Sequence, residues 1–179
     1  ELVKRFIISL ADMLPDTEDE STTTRYGLVE FSSGLASRAD VGAYTSRALF
    51  QDFVAGLVYN SGNTNTPLAL QYVRDTMLVE PPRREFSKRV VIVVTDGKPN
   101  KASGCPKKMS PVRCTRMRAQ ELKTSGAITP DDLLVYIAIG NRVTRGLLNG
   151  IADMIVSPKT FNQLQPLADV LASAAGECF

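Results

Sequence analysis

The sequence predicts a three-layer α/β domain in which helices cover both faces of a doubly wound, mainly parallel sheet. Residues 90–94, Val-Val-Ile-Val-Val, lack the alternation of a strand that faces water on one side, and residues 133–140 form a second apolar run. Segments with helical spacing of apolar residues separate these runs, an order typical of parallel sheets. We therefore expect a single domain over residues 1–179, with one short antiparallel edge strand near residues 35–40.

The first half of the chain is predicted to contain three helices and a strand besides that edge strand. Apolar residues recur at helical spacing over residues 1–14, so the chain opens inside an amphipathic helix. Residues 26–31 predict a strand and residues 45–59 a second helix. After a polar loop, Thr66 as the cap and Pro67 in the first turn predict a third helix.

The second half is predicted to alternate strands with helices. Its expected elements are a strand over 89–95, a helix over 113–125, a strand over 133–140, a helix over about 143–152, a short strand around 159–161 and a closing helix from about 163 to 175.

Composition excludes several classes of function. The 179 residues are 44% hydrophobic and 22% charged, as in ordinary globular domains. The chain has no histidine, which excludes Ser-His-Asp and Cys-His nucleophile systems and His-ligated zinc sites. It contains no Gly-x-x-x-x-Gly-Lys-Ser/Thr phosphate loop and no apolar stretch of bilayer-spanning length. These observations favour a binding domain over an enzyme.

Positive charge is concentrated in one segment. Residues 98–123 carry eight Lys or Arg against Glu121 alone, a local charge of +7 within a net +2, so the remainder of the chain carries −5. Lys98, Lys101, Lys107 and Lys108 follow closely after Asp96 and are candidates to attract an anionic ligand. The alternative is a solvated helix face and loop.

Three cysteines are present, at positions 105, 114 and 178. Cys105 and Cys114 flank a short loop rich in Lys, Pro and Ser, of the kind that a disulfide closes in an oxidising compartment. The alternative is a pair of reduced surface thiols in a cytosolic protein.

Two polar loops are expected at the carboxyl edge of the sheet, where open α/β folds bind ligands. Asp96 follows the β-branched strand, and Thr64 precedes the third helix. Asp96-Gly97 is also an ordinary turn sequence. A hydroxyl and a carboxylate that converge without histidine or thiolate form an oxygen environment suited to Mg²⁺ or Mn²⁺.

With these two loops the sequence resembles a von Willebrand factor type A domain, the Rossmann-like fold of integrin I domains and many extracellular adhesion proteins. Residues 62–66, Gly-Asn-Thr-Asn-Thr, are similar to the threonine loop of the family's metal-ion-dependent adhesion site, which implies Thr64 as a metal ligand. Residues 91–97, Val-Ile-Val-Val-Thr-Asp-Gly, are similar to its aspartate strand, which implies Asp96. The family's Asp-x-Ser-x-Ser loop has no counterpart in this sequence.

The resemblance implies that the family's first, central strand and its metal loop precede Glu1, so that residues 1–179 form a domain that is incomplete at its N-terminus. The segment before Cys178 resembles the closing helix of gliding adhesins of the apicomplexan thrombospondin-related anonymous protein (TRAP) type. That likeness implies a disulfide from Cys178 to a cysteine that precedes Glu1.

The resemblance also implies an extracellular or cell-surface adhesion domain, part of a larger adhesin, that binds an acidic protein receptor or a sulfated glycosaminoglycan through Mg²⁺. We expect no nucleic-acid partner, no insertion of this domain into a membrane, and a monomer. One alternative is an intracellular scaffold module of a multi-protein or ATPase complex. Another is a Mg²⁺-dependent phosphatase with Asp96 as nucleophile, but Lys98 stands where such enzymes need a second carboxylate.

Overall fold

The computed structural model describes residues 1–17, 23–79, 82–85, 87–143 and 146–176. Within these ranges no helix is long and apolar enough to cross a membrane. The elements, in chain order, are α1 Leu2–Met13, β1 Leu28–Phe31, β2 Leu35–Ala39, α2 Arg47–Gly56, α3 Thr66–Tyr72, a π-helical continuation Val73–Met77, β3 Val90–Thr95, α4 Pro111–Thr124, β4 Leu133–Ala138, β5 Met154–Val156, a 3₁₀ turn Phe161–Gln163 and α5 Gln165–Gly176.

The predicted α/β architecture is confirmed. Strands β3, β4 and β5 form a parallel sheet in that order, with Val90 opposite Leu133 and Thr95 opposite Ala138. Strands β1 and β2 form a separate antiparallel pair, which includes the predicted short edge strand. Since β3 and β4 end side by side, the residues that follow them leave the sheet at the same carboxyl edge.

The helix predicted over 143–152 is wrong, because residues 146–151 form turns. Leu147 and Leu148 are buried as a helix face would be, but successive turn hydrogen bonds bury them instead, including one from the Ile151 amide to the Leu148 carbonyl at 2.9 Å. Gly150 adopts φ +73°, a left-handed conformation that ends helical structure. The apolar spacing therefore predicted correctly which side chains of this segment are buried, but the helical backbone that it predicted is absent from residues 146–151.

The strand predicted around 159–161 is also misplaced. The third parallel strand is β5, five residues earlier, where Ile155 lies opposite Tyr136. Its start is fixed by Asp153, whose amide donates to the Leu134 carbonyl at 2.9 Å and whose carboxylate accepts from the Leu134 amide at 2.8 Å. Pro158 follows β5 and lacks the N–H that a longer strand would need.

The core lies on both faces of the parallel sheet. On one face Tyr136 and Ala138 pack with α4 residues and with the turn that contains Leu147. On the other face Val135 and Ile137 pack with Phe6 of α1 and with α5. This sandwich positions the carboxyl ends of the strands without covering them.

The two sheets do not pair with each other in the part of the chain that the structure describes. Helix α1 spans both, since Phe6 packs with the parallel sheet and Ala11 with Tyr26 and Phe50 beside β1. Five of the six residues of β4 are buried, but four of the six residues of β3 are partly exposed. The described part of β3 thus has a strand neighbour on one side only.

Candidate functional site

Strand β3 ends in a turn that presents Asp96 at the carboxyl edge. Thr95 is buried, and its hydroxyl accepts a hydrogen bond from the Gly97 amide at 3.2 Å and lies 3.1 Å from the Gly97 carbonyl. Asp96 itself is exposed. Its carboxylate forms no hydrogen bond or ion pair with any residue that the structure describes. The carboxylate is therefore available to a ligand.

The structure brings Thr64 to this turn. A Cβ atom built on Gly97 would lie 2.7 Å from the Thr64 hydroxyl oxygen. The Thr64 loop therefore comes so close to the turn after β3 that only glycine fits at position 97 without a shift. The two residues that the sequence predicts as metal ligands thus lie near each other at the carboxyl edge, with the Thr64 hydroxyl beside the residue that follows Asp96.

Asn100 holds Thr64 in this place. The Thr64 amide donates to the Asn100 side-chain oxygen at 2.7 Å, and the Asn100 amide donates to the Thr64 carbonyl at 3.1 Å. Sequence reasoning did not identify Asn100, because its contact crosses 36 positions and the surrounding Lys-Pro-Asn-Lys is an ordinary turn sequence.

The turn between β1 and β2 supports the other side of the Thr64 loop. The Asn65 amide donates to the Ser32 carbonyl at 2.9 Å, the Asn63 amide to the Ser33 hydroxyl at 3.1 Å, and the Asn65 side chain to the Ser33 carbonyl at 3.2 Å. These serines were also missed by sequence reasoning, since no local pattern signals the contact. Through these serines and through Asn100 the loop is attached to turns of both sheets.

Two polar atoms next to Thr64 have no hydrogen-bond partner among the described residues. They are the side-chain oxygens of Asn65 and Thr66, in residues only 0% and 1% exposed. Buried polar atoms normally have a hydrogen-bond partner. We therefore expect a further group to contact these two oxygens.

The donors present fit a hard divalent cation in chemical type. Thr64 and Asp96 supply oxygen only, the ligand that Mg²⁺ prefers, and Mg²⁺ commonly uses one or two carboxylates and keeps several waters. Within the described ranges no group of three or more His, Cys, Asp or Glu could hold a metal. A cation bound here would therefore need water or other groups to complete its coordination.

The four predicted ligand-binding lysines divide into two pairs. Lys98 and Lys101 flank Pro99-Asn100 and so lie beside the Thr64 contact; Lys98 is exposed and Lys101 is partly buried. Lys107 and Lys108 are exposed, and Lys108 adopts a left-handed φ of 68°. The contacts of Asn100 bring only the first pair to the Thr64 loop.

Cys105 and Cys114 form a disulfide with their Cα atoms 6.0 Å apart. Cys114 lies in the first turn of α4 and is fully buried. The bond anchors the loop that carries Lys107 and Lys108 to this helix. Cys178, for which a partner outside the chain was predicted, lies outside the described residues.

Comparison with known proteins identifies the family of this chain. The family model for the von Willebrand factor type A domain matches residues 1–168. Human matrilin-4 is 36% identical over 102 residues, which cover 55% of this chain but only 16% of matrilin-4.

Two solved structures share the fold. Proximal thread matrix protein 1 from the mussel byssus, with a zinc-occupied MIDAS motif, has a TM-score of 0.79 at 23% identity and covers 97% of this chain and 42% of its own. Manganese-loaded TRAP from Plasmodium vivax has a TM-score of 0.62 at 20% identity, and the match covers 92% of this chain and 63% of the TRAP chain. Since the family model spans nearly the whole chain, this protein belongs to the von Willebrand factor type A domain family.

Proposed function

We propose that this chain is an extracellular adhesion domain that binds an acidic ligand through a divalent metal ion, Mg²⁺ or Mn²⁺, held by Asp96 and Thr64. The observation that carries the proposal is the contact of the Thr64 loop with Gly97, beside an exposed Asp96 whose carboxylate has no partner among the described residues. When bound, the metal would supply an open coordination position for a carboxylate or sulfate oxygen.

The residues of this chain have distinct parts in the proposal. Asp96 supplies the negative charge that attracts the cation. Thr64 supplies a neutral oxygen, and Asn100 and Ser33 fix the loop that carries it. Because these supports are backbone and side-chain hydrogen bonds from both sheets, the loop is held before a cation arrives.

The extracellular part of the proposal is supported by the disulfide and by relatives. Disulfides persist mainly in oxidising compartments, which disfavours the intracellular scaffold. Two of the relatives are a matrilin and a thread matrix protein by name. We further propose that the chain is a TRAP-type gliding adhesin that acts in host-cell invasion. The predicted disulfide of Cys178 and the similar fold of Plasmodium vivax TRAP support this assignment. A free Cys178 thiol in the intact protein would contradict that assignment.

We also propose that a further strand, parallel to β3, fills the space between β1 and β3 in the whole protein and completes the domain. Its support is the partial exposure of β3, the span of α1 across both sheets, and the buried unpaired oxygens of Asn65 and Thr66. By the family resemblance, the loop after this strand would add the remaining metal ligands.

The four lysines define the proposed partner class, an acidic protein surface or a sulfated glycan. Lys98 and Lys101, on either side of Pro99-Asn100, would attract anionic groups toward the metal site. Heparin is a suitable probe for the glycan. Heparin binding that survives both EDTA and Asp96→Ala unchanged would refute the metal-dependent mechanism and leave the basic loop as the binding site.

Mn²⁺ binding measured by electron paramagnetic resonance tests the metal site without a ligand. Asp96→Ala should weaken Mn²⁺ at least about tenfold, because it removes the charged ligand, and Thr64→Ala should weaken it by a smaller factor. Asp52→Ala, which removes an exposed carboxylate of α2, is the matched control and should bind as the parent does. Equal Mn²⁺ affinity in Asp96→Ala and Asp52→Ala would contradict the proposal.

A further inference from the structure

A second candidate site lies at the opposite, amino edge of the parallel sheet. An open cavity of about 420 Å³ is bounded by the end of the π-helical segment, by the turn after α4 and by Arg89, which immediately precedes β3. Its wall includes Arg74, Asp75, Leu78, Val79 and Ala127. The volume falls within the range of small-ligand sites.

The cavity contains a guanidinium with unused donors. Arg89 donates through Nη1 to the Ala127 carbonyl at 2.7 Å, and it forms no salt bridge with any described residue. Arg74 differs, because its guanidinium is paired with Asp75 and Glu121. Since a guanidinium has five N–H donors, Arg89 can bind an anion while it keeps the Ala127 contact.

The neighbouring carboxylate, Asp132, pairs with Arg83 as well as lying close to Arg89. Asp132 is fully buried, and its side chain accepts hydrogen bonds from Arg83 at 2.5 Å, from the Thr129 amide at 2.6 Å and from the Arg89 amide at 2.7 Å. Burial and the charge of Arg83 lower the pKa of Arg89. Two guanidinium groups thus share one described carboxylate, which leaves local positive charge.

Beside Asp75 and Ser125, part of the remaining wall is aliphatic. Leu78 and Ala127 are partly buried, and Val79 is 57% exposed, a high value for a large apolar side chain. A π-helical segment, Val73–Met77, carries Arg74 and Asp75 to the rim, and such segments occur frequently at functional sites.

We propose that this cavity binds a carboxylate attached to a short aliphatic group, with Arg89 holding the carboxylate and Leu78, Val79 and Ala127 contacting the aliphatic part. A free branched-chain acid and the C-terminal leucine of a peptide both have this chemistry. The site is independent of the metal site, since the two lie at opposite edges of the sheet.

Titration of the full-length protein by calorimetry and heteronuclear NMR tests the proposal. The probes are 4-methylpentanoate for the free acid, N-acetyl-glycyl-leucine for the peptide end, and N-acetyl-glycyl-leucinamide, which lacks the charge. At least one acid should bind with a dissociation constant of about 1 mM, as expected for so few atoms, and shift the Ala127 and Val79 amide signals. The stronger acid identifies the source. The amide should bind at least tenfold more weakly.

Variants locate the site. Arg89→Gln should weaken acid binding at least about tenfold, whereas Arg113→Gln, which removes an equal charge from the far end of α4, should change it less than twofold. Val79→Asp places a competing carboxylate at an exposed wall position and should abolish acid binding. If Arg89→Gln does not fold, the proposal is tested by Val79→Asp instead. The proposal is overturned by equal binding of acid and amide, by no binding of either acid, or by unchanged acid affinity in Val79→Asp.

Discussion

Gly97 shows how closely the candidate site depends on single residues. The sequence predicts Thr64 and Asp96 because each belongs to a local motif at a strand or helix end. It could not predict Asn100 or Ser33, because their roles arise only when loops distant in sequence meet at the carboxyl edge. Local patterns therefore identify the proposed ligands, and tertiary contacts identify what holds them.

Gly97→Ala should damage the metal site without removing a ligand. The new Cβ would lie 2.7 Å from the Thr64 hydroxyl, which must move, so Mn²⁺ affinity should fall about tenfold and the free energy of unfolding by about 1–3 kcal/mol. Gly34→Ala is the control, because nothing lies within 4 Å of its added Cβ. Mn²⁺ affinities that are equal in the two variants would contradict this reading of the contact.

Asp132 should make the protein sensitive to acid. Burial opposes its ionisation, but hydrogen bonds from Arg83 and from the Arg89 and Thr129 amides outweigh burial and hold its pKa below the usual value. A lowered pKa stabilises the folded state at pH values above the unfolded pKa of about 4, and this contribution is lost as the pH falls through the lower folded pKa.

Asp132→Asn should therefore lower the free energy of unfolding at pH 7 by about 2 kcal/mol, since it weakens a charged hydrogen-bond network. Urea unfolding at several pH values should show the difference from the parent protein shrinking below about pH 4. The exposed Asp52→Asn is the control for charge alone. A difference that stays constant down to pH 2 would show that Asp132 stabilises by another route.

At the scale of elements, the sequence predicts the strands and most helices because their apolar patterns are long and regular. Residues 90–94, for example, suit a strand covered on both faces. The failures fall between β4 and α5, where short apolar stretches are interrupted by glycine and proline. In this segment the apolar residues determine which side chains are buried. The backbone conformation is determined by tertiary hydrogen bonds, such as those of Asp153 with Leu134.

The disulfide should stabilise the loop between β3 and α4. The disulfide joins residues 9 positions apart and lowers the conformational entropy of the unfolded chain. This loss should stabilise the folded state by about 2.5 kcal/mol. The double variant Cys105→Ser with Cys114→Ser should lose about this much free energy of unfolding. Reductant should then lower the stability of the parent protein further than that of the variant, whereas an equal effect on both would show that another disulfide dominates.

At the scale of the whole molecule, the family and the fold could be predicted from sequence, because two motifs occur in the right order among correctly spaced strands. The separation of the two sheets could not, because strand pairing is non-local. The further strand proposed between β1 and β3 in the whole protein has a measurable consequence for backbone amides.

Hydrogen exchange of the full-length protein tests the added strand. Amides of neighbouring residues in β3 point to opposite sides, so β4 alone protects every second one. If a strand also pairs with the other edge, all amides of Val90–Thr95 should exchange slowly, near the rate of global unfolding. Alternating fast and slow exchange along β3 would show that the edge is open.

Anomalous diffraction from crystals of the full-length protein grown with Mn²⁺ tests directly whether Asp96 and Thr64 hold a divalent cation. We expect a manganese peak at the carboxyl edge, bound to the Asp96 carboxylate and the Thr64 hydroxyl directly or through one water. Ordered crystals at saturating Mn²⁺ with no peak beside Asp96, or with a peak only elsewhere, would contradict this expectation.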